Sequence, residues 1–261
     1  MLLKLFSIMQ LHFQSYGQGS PLVILHGLFG SLENWHSMSQ KLAADFRVVA
    51  VDQRNHGRSL HAAEMNYELM AQDLKELVAD QHLGTIDLLG HSMGGKTAMI
   101  FALTYPELVK KLVVVDMAPR AYAPQHRPIL EALMSLDLSS VGNRKGMESQ
   151  LANSIPELAL RQFLLKNVKR DPAGAFYWQM NLAGIEANYD RLNEGLSNGR
   201  TFEKPALFIR GEISDYIRKQ DIAQIQTLFP QAEHCEIAGA GHWVHVEAPE
   251  AFLRKVREFL K

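Results

Sequence analysis

Cysteine is nearly absent from this chain of 261 residues. The single Cys235 excludes an internal disulfide and favours a reducing compartment, so we expect a cytoplasmic protein. An excess of charge is missing too, because 27 Lys and Arg residues offset 28 Asp and Glu residues. The resulting formal net charge of −1 gives no electrostatic support for a nucleic-acid partner or for binding to an acidic membrane surface.

Long apolar runs and metal-binding frames are also lacking. No run reaches the roughly 18 apolar residues that a membrane helix needs, so no membrane span is expected. Residues 1–9 are apolar but few, and no small-residue cleavage site follows them, which favours a short extension of the fold over a signal peptide. Neither Cys-x-x-Cys nor His-Glu-x-x-His occurs, so we expect no metal and no other cofactor.

Short apolar segments alternate with segments of helical spacing along most of the chain. This alternation predicts an α/β protein with a mostly parallel central sheet and helices on both of its faces. After Asp116 this alternation stops, and residues 119–199 show helical stretches without a convincing buried strand. We therefore expect a core formed by residues 1–118 and 200–261, with residues 119–199 inserted as a helical lid. The predicted strands are 11–16, 21–25, 46–51, 85–89, 112–115, 205–210 and 234–238.

The most informative motif is Gly90-His91-Ser92-Met93-Gly94-Gly95, which lies between a predicted strand and a predicted helix. In that context Gly-x-Ser-x-Gly is typical of a sharp turn that pushes a serine hydroxyl clear of the sheet. Glycines on either side are needed because a Cβ there would collide with neighbouring backbone. The motif therefore predicts that Ser92 is a nucleophile.

A nucleophilic serine needs a base, and the base needs a carboxylate to orient it. His242 is the best candidate base, because it lies in a glycine-rich loop after the last predicted strand. Asp116 and Asp215 each follow a predicted strand, so either carboxylate could reach His242. The order serine, aspartate, histidine is typical of one class of hydrolases.

Backbone N–H groups must also stabilise the oxyanion that forms during attack on a carbonyl. One candidate donor is the N–H of Met93, directly after the serine, and the second is that of Leu28, with Phe29 as the alternative. Aromatic and apolar residues near this region and in the insertion predict an apolar substrate pocket. The candidate substrate-binding residues are Phe29, His91, Trp178 and Trp243.

The same serine motif also fits a phosphate-binding loop. Residues 90–97 match Gly-x-x-x-x-Gly-Lys-Ser/Thr, in which Lys96 would contact phosphates and Thr97 a magnesium ion. This interpretation gives no role to His26-Gly27 or to Gly241-His242, whereas the hydrolase interpretation uses both. The phosphate loop is therefore the weaker hypothesis.

Several motifs together resemble the α/β-hydrolase superfamily. They are His26-Gly27, Asp52-x-Arg54-x-His56-Gly57-x-Ser59, Gly90–Gly95 and Gly241-His242, and the match covers nearly the whole chain. More narrowly, the chain is similar to YbfF-type bacterial esterases and their abhydrolase-11 relatives. This resemblance implies a small serine esterase or thioesterase with a helical lid and no cofactor. The narrower family places its acid at Asp116 and the wider superfamily at Asp215, so the resemblance favours Asp116 without deciding the matter.

The function expected from these residues is hydrolysis of small-molecule carboxylic esters with short-to-medium acyl chains, through an acyl-Ser92 intermediate. A thioesterase, a carbon–carbon bond hydrolase or a perhydrolase would use the same three residues. A non-catalytic ligand-binding homologue and a phosphate-loop nucleotide hydrolase are weaker alternatives. The sequence does not define the oligomeric state.

Overall fold

The structure is a computed structural model that describes residues 10–196 and 199–261, so the apolar residues 1–9 lie outside the described part. Strands and helices alternate along the chain, as the sequence predicts. The strands are β1 (Phe13–Tyr16), β2 (Pro21–Leu25), β3 (Arg47–Val51), β4 (Ile86–His91), β5 (Val109–Val115), β6 (Val168–Arg170), β7 (Phe176–Trp178), β8 (Ala206–Gly211) and β9 (Ala232–Ile237). The helices are α1 (His36–Leu42), α2 (Tyr67–Asp80), α3 (Met93–Thr104), α4 (Arg127–Ser135), α5 (Arg144–Leu151), α6 (Leu158–Leu165), α7 (Leu182–Leu192), α8 (Asp221–Leu228), α9 (Val244–Glu247) and α10 (Pro249–Leu260).

A seven-stranded sheet in the order β1-β3-β2-β4-β5-β8-β9 forms the centre of the molecule. β1 runs antiparallel to β3, and all the other neighbours in this sheet are parallel. The prediction of a mostly parallel α/β sheet is therefore confirmed. Because parallel strands share one direction, the residues that follow β2, β4, β5 and β8 lie at the same edge of the sheet.

Both faces of the sheet are buried, which explains why its central strands contain runs of apolar residues, at 22–25, 48–51, 88–89 and 112–115. Side chains alternate between the faces along each strand. Leu88 faces the cluster that includes residues of α2 and α3, whereas its neighbour Leu89 faces the cluster that includes Phe252 and Val256 of α10. Helix α3 packs so closely on β4 and β5 that all of its residues except Thr104 are buried. The turn before α3 is thereby held rigidly at the middle of the sheet.

The segment between β5 and β8 contains α4–α7 and a small hairpin that the sequence analysis did not predict. The helical spacing of residues 157–169 predicts one helix, but α6 ends at Leu165, and β6 pairs antiparallel with β7. Asn167 ends the helix by donating from its side chain to the Leu164 carbonyl at 3.1 Å. The chain then reverses through Asp171–Gly174, where Gly174 has φ +88° and the Asp171 carboxylate accepts from the Ala175 N–H. Local turn chemistry thus overrides the helical pattern in residues 166–169.

Within residues 10–196 and 199–261, none of the helices is both long enough and apolar enough to cross a membrane.

Candidate active site

Ser92 occupies a strained turn between β4 and α3. Its backbone has φ 53° and ψ −120°, a conformation that non-glycine residues rarely adopt, and its N–H donates to the Val115 carbonyl at 3.0 Å. A Cβ at Gly94 would lie 2.5 Å from the Leu25 carbonyl oxygen, and one at Gly90 would overlap the Gly94 backbone. The glycines of the motif are therefore required by close backbone approach, as the sequence predicts.

Asp116, directly after β5, is fully buried and holds the His242 ring. Its Oδ2 lies 2.7 Å from Nδ1 of His242 and also accepts from the Ser214 hydroxyl, while Oδ1 accepts from the Gly211 N–H at 3.2 Å. The Nδ1 proton of His242 is therefore directed at Asp116, which leaves Nε2 as the basic nitrogen of the ring.

Asp215, the alternative acid, has a different environment. It is exposed, and its backbone carbonyl accepts from Arg120 and Arg218 at 3.3 and 3.2 Å. Among the described residues its carboxylate has no hydrogen-bond partner. The structure therefore brings Asp116, and not Asp215, into contact with His242.

Ser92 and His242 line the same cavity, which has a volume of about 230 Å³ and is called the wide cavity below. Their side chains are not hydrogen-bonded to each other, which is common in sites without bound substrate. The Tyr216 ring stacks on the His242 ring with centroids 3.8 Å apart, and His91 Nε2 lies 2.9 Å from the His242 carbonyl. The position of His242 is thus fixed through Asp116, Tyr216 and His91 together.

In the described part of the chain, the backbone N–H groups of Leu28 and Met93, the two candidate oxyanion donors, have no hydrogen-bond partner. Met93 is the first residue of α3, where a helix leaves its N–H groups unpaired. The N–H of Phe29, the alternative donor, instead donates to Nε2 of His56 at 3.2 Å. Burial lowers the pKa of His56 to about 3, so its ring is neutral and Nε2 can accept this bond.

The other histidines near the site serve as neutral framework groups. In His26, Nδ1 is bonded to the Gly27 carbonyl at 2.8 Å and Nε2 accepts from the Gln53 N–H at 3.0 Å, and burial lowers the pKa to about 4. His245 stacks on Trp35 at 4.1 Å, and burial lowers its pKa to about 3. Among the described residues, no group of three or more His, Cys, Asp or Glu side chains is arranged to hold a metal ion.

The phosphate-loop hypothesis is wrong, because its two key side chains are buried and engaged within the protein. Lys96 donates to the Glu194 carbonyl in the insertion, and the Thr97 hydroxyl donates to the Met93 carbonyl at 3.2 Å. Neither group can therefore reach a phosphate or a magnesium ion at the turn.

The buried Lys96 leads to a testable pH dependence of stability. Burial, with the charge of Arg120 as a second cause, lowers its pKa to about 7. Above that pH the unfolded chain, with a lysine pKa of about 10.4, still binds a proton that the folded chain has lost, so the free energy of unfolding rises with pH. Between about pH 7.5 and about pH 8.5, we expect wild type to gain roughly 1 kcal/mol relative to Lys96→Met.

Urea unfolding of both proteins at the two pH values measures this difference. Lys75→Met, which removes an exposed lysine of α2, is the matched control and should track wild type. Equal pH dependence in Lys96→Met and wild type would show that Lys96 does not lose its proton in this range.

Three of the four candidate substrate-binding residues, Phe29, His91 and Trp243, line the wide cavity. Trp178 does not, because it pairs with Val168 in the hairpin and packs against the core. Several residues of the cavity wall were not predicted from the sequence. They are Trp35, His126, Ile129, Leu160 and Tyr216.

Of these, Tyr216 carried a detectable signal, since it directly follows Asp215 in the loop after the predicted strand 205–210. His126 and Leu160 carried none, because they come from residues 119–199, whose packing against the rest of the chain no local pattern reveals.

Comparison with known proteins agrees with this geometry. A family model described as "alpha/beta hydrolase fold" matches residues 20–249. The sn-1-specific diacylglycerol lipase ABHD11 of Danio rerio is 38% identical over 257 residues, which cover 95% of this chain and 81% of that protein. Esterase YbfF of Escherichia coli K12 is 36% identical over 248 residues, which cover 95% of each chain. The solved structure of a marine microorganism esterase has 45% identity and a TM-score of 0.94 over 96% of this chain and 99% of its own. The chain therefore belongs to the α/β-hydrolase family.

Proposed function

We propose that this protein is a serine ester hydrolase that acts on small-molecule carboxylic esters. In this proposal Ser92 is the nucleophile, His242 the general base and Asp116 the acid of the triad. The observation that carries it is the 2.7 Å contact between Asp116 and His242, at the edge of the sheet where Ser92 opens into the same cavity. The names of the relatives, an esterase and a lipase, support the same class of reaction.

The reaction would follow from the roles of these groups. His242 Nε2 removes the hydroxyl proton of Ser92, and Oγ attacks the ester carbonyl. The N–H groups of Leu28 and Met93 stabilise the oxyanion, each by about 3 kcal/mol. His242 then protonates the leaving alcohol, and water activated by the same ring hydrolyses the acyl-serine.

We further propose that residues 119–199 act as a lid on a core formed by residues 1–118 and 200–261. Support comes from His126 and Phe163 of this segment, which line the wide cavity opposite Ser92. Phe163 also contacts Trp243 of the core, with ring centroids 6.0 Å apart. The mostly apolar walls and modest volumes of the cavities that meet at Ser92 favour esters with short-to-medium acyl chains. The cytoplasm is the proposed compartment, on the basis of the single free Cys235.

A fluorophosphonate probe tests this proposal directly, because it reacts covalently with activated serines. We expect stoichiometric labelling at Ser92, located by mass spectrometry of peptides, because this serine lines the same cavities as His242, Leu28 and Met93. Ser92→Ala should abolish labelling, whereas Ser139→Ala, which changes an exposed serine, should leave it intact. Folded protein that stays unlabelled, or that is labelled at another serine, would contradict the proposal.

A further inference from the structure

Ser92 lies between two cavities of very different size. Besides the wide cavity of about 230 Å³, a narrow cavity of about 30 Å³ reaches the same side chain. A cavity volume of about 10–15 Å³ holds one water molecule, so the narrow cavity has room for a group of about two heavy atoms. The residues that line the narrow cavity and not the wide one include Tyr67, Met93, Met117, Tyr122, Tyr189 and Leu192.

His126, in the insertion just before α4, lines both cavities and helps to separate them. Its Nε2 lies 3.2 Å from the Tyr216 hydroxyl, and its Nδ1 lies 3.3 Å from the Tyr189 hydroxyl. Its backbone N–H also donates to that Tyr189 hydroxyl at 2.8 Å. The imidazole thus bridges two tyrosines from different elements, and this bridge limits the narrow cavity.

The narrow cavity offers a substrate mainly aromatic faces and thioether groups. The Tyr67 hydroxyl donates to the Leu192 carbonyl at 2.7 Å, and the Tyr122 hydroxyl donates to the Tyr216 carbonyl at 2.7 Å. Because these hydroxyls already have partners inside the protein, the cavity suits a small apolar group better than a polar one.

The general base His242 and the oxyanion donor Met93 line different cavities. This difference indicates which cavity holds the acyl portion of an ester and which holds the alcohol portion. His242 lines the wide cavity and not the narrow one, whereas Met93 lines the narrow cavity and not the wide one. The leaving alcohol must receive its proton from His242, so it belongs in the wide cavity. The substituent on the carbonyl carbon then points into the narrow cavity.

We propose that His126 determines acyl specificity, by closing a narrow acyl cavity that admits about one or two carbons beyond the ester carbonyl. The wide cavity accepts the larger alcohol portion. This inference rests on the proposed ester hydrolase function and adds to it the division of the substrate between the cavities. The favoured substrates are therefore acetyl and propionyl esters of bulky apolar alcohols.

The test compares p-nitrophenyl acetate, butyrate, hexanoate and octanoate as substrates. In wild type we expect kcat/KM to fall at least tenfold from acetate to hexanoate. The reason is that each methylene that the narrow cavity cannot hold lowers kcat/KM by about tenfold or more. In His126→Ala the two cavities merge, so the hexanoate-to-acetate ratio of kcat/KM should rise at least tenfold. Leu192→Ala enlarges the narrow cavity without removing the bridge and should raise the ratio in the same direction.

Ile129→Ala is the matched control, because Ile129 lies in α4 close to His126 but lines only the wide cavity. It should leave the hexanoate-to-acetate ratio as in wild type and change the relative rates of acetyl esters with different alcohols. The inference is overturned if Ile129→Ala changes the acyl ratio while His126→Ala and Leu192→Ala do not. Labelling of Ser92 by the fluorophosphonate probe in each variant reports on the proposed function separately, so the two ideas can fail independently.

Discussion

An Asp116→Asn substitution is expected to lower kcat by about 10⁴-fold, the size of effect found when a triad aspartate becomes an amide. The physical reason lies in the donors around this side chain. The Gly211 N–H donates to Oδ1 of Asp116, so the amide oxygen of an asparagine would occupy that position and its nitrogen the position of Oδ2. Its NH₂ group would then face Nδ1 of His242 and force the ring proton onto Nε2, where the base is needed.

The measurement is kcat for a simple ester in wild type, Asp116→Asn and Asp215→Asn. Because the Asp215 carboxylate is exposed and does not contact His242, its substitution should change kcat by less than about tenfold. Circular dichroism and fluorophosphonate labelling confirm that the variants remain folded. Loss of activity in Asp215→Asn alone would assign the acid to Asp215.

The second large effect concerns stability, and Asp73→Asn is expected to lower the free energy of unfolding by about 3–5 kcal/mol. Asp73 of α2 forms a bidentate ion pair with Arg54, and both side chains are buried. Nε and Nη2 of Arg54 each lie 2.6 Å from a carboxylate oxygen of Asp73. Removing one partner leaves a buried guanidinium charge without its counterion, which is the costly case for an ion pair.

This pair also supports the site, because Arg54 belongs to the loop after β3. In the same loop His56 accepts from the Phe29 N–H, and Asp52 accepts from the Leu32 N–H at 2.7 Å. The segment that carries the free N–H of Leu28 is therefore held by the loop that Arg54 anchors. We expect Asp73→Asn to weaken catalysis as well as stability.

Urea unfolding of Asp73→Asn and of Glu250→Ala makes the comparison. Glu250 forms an ion pair with Lys41 at 2.7 Å, but both side chains are exposed, so its loss should change stability much less. If the two substitutions destabilise the protein equally, the Arg54–Asp73 pair does not have the predicted structural importance.

Much of the fold was predictable because the core strands follow simple rules. A strand buried on both faces contains a run of consecutive apolar residues, and such runs mark β2, most of β3 and parts of β4 and β5 in the sequence. The hairpin β6–β7 was not predictable, because it depends on Asn167 ending a helix and on a four-residue turn, while the surrounding pattern is helical. The family was predictable because its motifs depend on close backbone approach at glycines such as Gly90 and Gly94.

The candidate site was predictable in part. Ser92 and His242 stand out because each lies in a glycine-rich turn at the end of a strand. Asp116 and Asp215 could not be separated, because both follow strands and the difference between them arises from burial and from the Ser214 and Gly211 donors. The residues of the cavity wall from the insertion, such as His126, depend on long-range packing that sequence periodicity does not report.

The unusual backbone conformations described above have a consequence for how this protein can evolve. Among the described residues other than glycine, φ is positive at Phe29, Asn55, His82, Ser92 and Asp116, and all of these except His82 lie in the loops and turns around the site. Each such residue costs about 1–3 kcal/mol, which the rest of the fold must supply. Random substitutions that raise stability will therefore be found most easily in these loops, and they will tend to sacrifice activity. The strained residues of the site thus lower the stability of the fold, and they are retained because the reaction needs their conformations.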